Sequence, residues 1–152
     1  MTFPLTQVSA TAHVFTQRFA ATGSGARRAR RLATHQLAVW GIPYGSRVSD
    51  SVALIVGELA ANAVLHGCVP DTEFALRLVY DRATGVVRVE VADAHPGRPV
   101  STSQPAADAE SGRGLVLVGC VATSWGVIAG SGAGKVVYAE LSTHHEEQRG
   151  PR

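Results

Sequence analysis

The chain has 152 residues, 45% hydrophobic and 17% charged, a composition that fits one globular domain with an ordinary core and excludes disorder along its whole length. Its formal charge of +2 (pI about 8.8) owes its excess to one run, Arg27-Arg28-Ala29-Arg30-Arg31, which argues against an extended nucleic-acid surface. Cys68 and Cys120 are too few for a disulfide scaffold, and neither belongs to a C-x-x-C pair, so a cytoplasmic location is expected. Met1 to Leu5 does not read as a signal peptide. The longest weakly polar stretch, 51–65, is shorter than the roughly 20 residues of a membrane span and holds both Glu58 and Asn62.

In chain order, the loose alternation from Thr11 to Phe19 predicts an edge strand, closed by a turn at Thr22-Gly23-Ser24-Gly25. Ser24 is placed to cap a helix running to about Trp40, with Ala29, Leu32, Ala33, Leu37 and Trp40 at helical spacing and Gly41 at its C-terminal turn. The arginine run lies on its first two turns, where a solvated face is the simplest reading and docking to an acidic protein surface the alternative. After the loop Ile42 to Gly45, Ser49 or Asp50 can cap a second helix that Gly67 ends. Phe74, Leu76, Leu78 and Tyr80 alternate, Asp81 to Gly85 supplies a turn, and Val87, Val89 and Val91 alternate again: a β-hairpin. From Ala94 to Ser111 no apolar period is present, so a long loop of the functional or disordered kind is expected. Leu115 to Ala122 fits a short helix or a buried strand equally. Trp125 to Ala129 and Val136 to Leu141 flank the glycine-rich turn 130–134 as a second hairpin. A domain over 1–142 and a frayed polar tail over 143–152 complete the division. The order of elements gives hairpins rather than single strands alternating with helices, which predicts an α+β two-layer sandwich: a mixed, mostly antiparallel sheet covered by helices on one face.

Chemistry concentrates on the second helix. Glu58, Asn62 and His66 follow one another a turn apart, drifting about 40° per step, so they form one stripe bordered by Ile55, Leu59 and Ala63 on one side and by Leu54 and Leu65 on the other. A carboxylate in such surroundings needs a partner or a wet cavity. Two readings stand level on the helix alone. In one, Glu58 pairs with an arginine from elsewhere, such as the first helix, and Asn62 satisfies a backbone group; in the other, both face a cavity in which Asn62 ligates Mg²⁺ and Glu58 takes a proton. Asp93 closes an apolar strand and opens the long loop, with Gly97 four residues on. Gly112-Arg113-Gly114-Leu115 precedes a predicted element, where bare amides can hold phosphate oxygens. Other signals fall away: Gly130 to Lys135 is one residue short of a P-loop and precedes a strand, Leu117 stands where a dinucleotide fingerprint needs glycine, and His144-His145 sits in the polar tail.

Together these boxes resemble the ATP-binding domain of the histidine-kinase-like (GHKL) superfamily, and within it the anti-sigma-factor serine kinases. Glu58-Leu-Ala-Ala-Asn62-Ala-Val-Leu-His66-Gly67 is similar to the E-x-x-x-N-A-x-x-H-G box, Asp93 with Gly97 to D-x-G-x-G, and Ser111-Gly-Arg-Gly-Leu115 to G-x-G-L. The resemblance spans the Thr11 region to about Leu141. It implies a Bergerat-type ATP-binding fold with ATP and Mg²⁺ as cofactors. By position it implies Asn62 on the metal, Glu58 as general base, His66 in the ATP-binding box, Asp93 on the adenine amino group and Gly97 beside the base. The Gly112 and Gly114 amides would contact phosphates, Arg113 would meet the γ-phosphate, Leu115 would belong to the ATP-binding box, and 98–111 would form a lid. It further implies a serine/threonine-kinase activity, a sigma factor and an antagonist protein as partners, and a homodimer. The pattern departs at His95, where a glycine is common, at Pro96, and at Val136, where relatives often carry a threonine near the aspartate. A non-catalytic, nucleotide-responsive binding module of the same fold is therefore the second expectation, and a sequence-specific DNA binder the last.

Overall fold

The computed structural model describes residue 3 and residues 8–66, 72–93, 116–129 and 134–144. Its elements are β1 (Ala12–Ala20), α1 (Gly23–Val39), α2 (Arg47–His66), β2 (Glu73–Asp81), β3 (Val86–Asp93), a short helix α3 over 116–121, β4 (Ser124–Ala129) and β5 (Lys135–Ser142). The five strands form one sheet in the order β1-β2-β3-β5-β4, and each neighbouring pair is antiparallel. This is the expected α+β two-layer arrangement, without a parallel pair among the described strands.

Period-two alternation divides the sheet into two chemically distinct faces. Phe19, Phe74, Leu76, Leu78, Val87, Val89, Val91, Val137, Ala139 and Leu141 point to one side and form the main core with α1 and α2. Helix α2 lies over β3, and α1 packs on α2 and β1. Small residues make that helix pair close: Ala29 and Ala33 on α1 and Ala60 on α2 are fully buried. The Arg30 stem passes beside Gly57. Helix α3 adds the buried Val118 to the same core, which decides the 115–122 segment in favour of helix.

Both helix starts differ from the residues the sequence suggested. Thr22, not Ser24, caps α1: its backbone is extended and its hydroxyl accepts from Gly25 N at 3.0 Å. Ser24 instead lies inside the first turn and hydrogen-bonds Thr22. Ser46, not Ser49 or Asp50, caps α2, accepting from Ser49 N at 3.2 Å, so the helix begins a turn earlier than expected. The C-terminus of α1 behaves as read, with Gly41 at φ 94° after Trp40 and the Arg82 guanidinium donating to Trp40 O at 2.7 Å.

The opposite face of the sheet carries a small apolar cluster, Ala75, Ala92 and Val136 with Phe3 and Ile128, and next to it a ladder of charges. Glu90 is fully buried there. Arg77 grips both of its oxygens at 2.8 and 2.9 Å, Arg88 Nε reaches it at 2.8 Å, and Arg88 also binds Glu140 at 2.7 Å while stacking 4.0 Å over Tyr138. One Arg77 nitrogen shared between both oxygens, and two cations around one carboxylate, satisfy a charge that would otherwise be costly to bury.

Two glycines on the helices make opposite demands. A Cβ at Gly25 would run into the Ala20 carbonyl, whereas at Gly57 it would meet only the Arg30 side chain at 3.8 Å. Gly57→Ala should therefore stabilise the fold by about 1 kcal/mol in urea unfolding, and Gly25→Ala should destabilise it by about 1–3 kcal/mol through overpacking.

Candidate functional site

One row crosses the whole sheet at one end: Phe19, Phe74, Asp93, Lys135 and Ala129 are successive cross-strand partners. Asp93 is in phase with Val87, Val89 and Val91, and Lys135 with Val137, Ala139 and Leu141, so both project to the helix-covered side. Helix α2 reaches the same end, because its last residue, His66, is joined to the first residue of β2, Glu73, by residues 67–72 alone. The C-terminal turns of α2 and the Asp93–Lys135 pair thus share one end of the domain.

The helix stripe is graded. Ile55 and Leu59 are buried against the sheet, Asn62 at the margin of that arc is 4% exposed, and Glu58 one turn earlier is half-buried. An amide can sit inside the apolar contact at far lower cost than a carboxylate, which matches the order seen. Among the described residues Glu58 forms no hydrogen bond or ion pair, so the arginine partner that the structural reading required is absent from them. Arg27, Arg28, Arg30 and Arg31 are exposed on α1 and likewise form no ion pair among the described residues.

Asp93 and Lys135 are each 7% exposed. Burial pushes the Lys135 ammonium below its ordinary value of 10.5, and the Asp93 carboxylate opposes that shift without cancelling it. The Lys135 side chain forms no hydrogen bond or ion pair among the described residues. The family pattern points to Val136 as the residue near the aspartate. The strand's phase puts the Val136 side chain on the opposite face, packed with Ala75 and Ala92, so its missing hydroxyl does not bear on Asp93. Lys135 is the residue that does, and the signal for it was present: the apolar alternation 137, 139, 141 runs back to 135.

Gly97, Gly112, Arg113, Gly114 and Leu115, together with His95 and the 98–111 lid, lie outside the described residues; α3 starts immediately after Leu115. No group of three or more His, Cys, Asp or Glu side chains able to cage a metal occurs among the described residues. What they offer is one amide oxygen, from Asn62, and a nearby carboxylate without a cation of its own, from Glu58. That donor set suits Mg²⁺, which keeps most of its waters and is commonly held by one or two protein oxygens and substrate phosphates. None of the described helices is long and apolar enough to cross a membrane.

The chain matches the family model described as the histidine kinase-like ATPase domain over residues 6–140. No curated protein matches it. Among solved structures it is similar to the RsbU and RsbW domains of Rv1364c from Mycobacterium tuberculosis, with 18% identity and a TM-score of 0.63, over 86% of this chain and 32% of that one. The chain therefore spans about a third of that structure's length, and at this identity the likeness is one of fold.

The Lys135 shift has a definite consequence for stability. Between its lowered value in the fold and 10.5, the unfolded chain holds a proton that the folded chain lacks, so stability must rise with pH across that window. Urea unfolding of wild type and Lys135→Met at a series of alkaline pH values should show wild type gaining on the variant as pH climbs toward 10.5.

Proposed function

The chain belongs to the histidine kinase-like ATPase domain family, and from that premise we propose that it is a Mg²⁺-ATP-binding regulatory protein of the anti-sigma-factor serine kinase type. In this role it binds a sigma factor in the cytoplasm, acts as a homodimer, and phosphorylates an antagonist protein. The observation that carries the reading is the graded pair on α2: a buried amide, Asn62, one turn from Glu58, a half-buried carboxylate that forms no ion pair among the described residues, at the same end of the sheet as Asp93.

The family boxes assign each residue a task. Asn62 would hold Mg²⁺, which when bound neutralises phosphate charge. Asp93 accepts a hydrogen bond from the amino group of the base, with Gly97 allowing close approach. The Gly112 and Gly114 amides meet phosphate oxygens, Arg113 contacts the γ-phosphate, and His66 and Leu115 complete the nucleotide box. Glu58 takes the proton from the attacking serine hydroxyl as the new O–P bond forms and the bond to the β-phosphate oxygen breaks, releasing ADP. Apart from that proton transfer, such chemistry needs chiefly positioning and charge compensation. A second reading, a nucleotide-responsive binding module without transferase activity, is favoured by one departure in the sequence, His95 where a glycine is common.

Mg²⁺-ATP at about 100 times its Kd should raise the melting temperature by roughly 5–10 °C. Asn62→Ala should abolish the rise while still melting cooperatively. A wild-type chain that does not shift at millimolar ATP would exclude the nucleotide function. Transfer of labelled phosphate to candidate antagonist domains separates the two readings: Glu58→Ala should lower it by about 10²–10⁴-fold and leave the ATP-induced melting shift in place. Transfer undiminished in Glu58→Ala removes that residue from the base role.

A further inference from the structure

Lys135 is placed unlike any other cation in the described fold. Arg77 and Arg88 on the open face are consumed by Glu90 and Glu140. The α1 arginines are exposed to water. Lys135 alone among the described lysines and arginines is buried, yet no hydrogen-bond acceptor is found for its side chain among the described residues. An ammonium has three N–H donors and no acceptor. Burial of such a group without acceptors is costly unless something else supplies them.

Its neighbour limits what that something is. Lys135 and Asp93 are directly opposed in the antiparallel ladder on the same face, a relation that brings Cβ atoms to about 5 Å. The site end therefore presents an acceptor and a donor side by side. We propose that Lys135 is a specificity-determining residue of the nucleotide site, donating to a ring nitrogen of the base while Asp93 accepts from the adjacent amino group. The proposal rests on the nucleotide reading given above and extends it by assigning the residue that reads the ring nitrogen of the base. An amino group next to an unprotonated ring nitrogen is the edge of adenine. Hypoxanthine inverts that edge, turning a carbonyl oxygen toward the carboxylate and an N–H toward the ammonium, so both contacts become repulsive. Sites built on such pairs reject the mismatched analogue because their own polar groups are left unpaired.

The protonation state of Lys135 is part of the recognition. Its pKa is lowered by burial, with Asp93 on β3 the charged group that acts on it; Ala129 stands opposite on β4, and α2 brings the neutral Asn62 and the half-buried Glu58 to this end. As pH rises toward 10.5 the ammonium loses the charge that strengthens its hydrogen bond to the base, and affinity for ATP should fall with it.

Calorimetric titration of the full chain with Mg-ATP and Mg-ITP tests this, using wild type, Lys135→Met and Lys135→Arg, each first shown to melt cooperatively. Wild type should prefer ATP over ITP by about 100-fold or more, Lys135→Met should cut that preference at least about tenfold, and Lys135→Arg should recover part of it. The alkaline loss of ATP affinity should be present in wild type and absent in Lys135→Met. An unchanged ATP-to-ITP ratio and pH profile in Lys135→Met would overturn the role of Lys135 while leaving ATP binding established. Wild type that binds neither nucleotide would overturn the parent reading and this inference with it.

Discussion

The seating of α2 on β3 is the contact on which the rest of the structure depends. Val52, Ile55, Val56 and Leu59 from the helix and Val87, Val89 and Val91 from the strand bury almost all of their surface in one core. At roughly 25 cal/mol per Å² of apolar area this contact supplies a large share of the folding free energy. It also settles an orientation. With the arc through Ile55 and Leu59 turned to the sheet, Asn62 is carried to the edge of the buried surface and Glu58 to its half-buried margin, so the polar residues stand where apolar packing meets open space.

Charge is handled differently on the two faces of the sheet. On the open face Glu90 has no exposure, and it is held by one Arg77 nitrogen that reaches both of its oxygens and by Arg88, with Glu140 balancing the second arginine. That ladder satisfies the buried Glu90 carboxylate with cations from its own face. At the helix-covered end the compensation is incomplete: Lys135 has Asp93 as its electrostatic neighbour but its side chain forms no hydrogen bond among the described residues, and Glu58 forms no ion pair there. Buried or half-buried charges left in this state mark an end of the molecule organised around something other than its own stability.

At this end of the sheet the residue in phase with Asp93 is Lys135, and the Val136 side chain lies on the opposite face with Ala75 and Ala92. Because adjacent residues of a strand project to opposite faces, a one-position step along β5 moves a side chain from the Asp93 side to the far side of the sheet.

Much was legible in the sequence because it depends on local periodicity. The two hairpins, the two long helices, the glycine after α1 and the stripe Glu58–Asn62–His66 follow from spacings of 2 and 3.6 residues, and the family boxes follow from residue types at fixed intervals. Both helix starts were misplaced, since threonine and serine at neighbouring positions offer equivalent hydroxyls and only the backbone conformation selects Thr22 and Ser46. The 115–122 segment was undecided for the same kind of reason, a short apolar run having no period long enough to count. Pairings between distant segments were wholly beyond local pattern. That Arg77 and Arg88 converge on Glu90, and that Asp93 meets Lys135, 42 positions later in the chain, is set by strand order and register. The sequence by itself determined which residues could do chemistry. Only the tertiary structure decided which of them face one another, because the β3–β5 ladder, fixed by burial of one face of each strand, brings the carboxylate and the ammonium together.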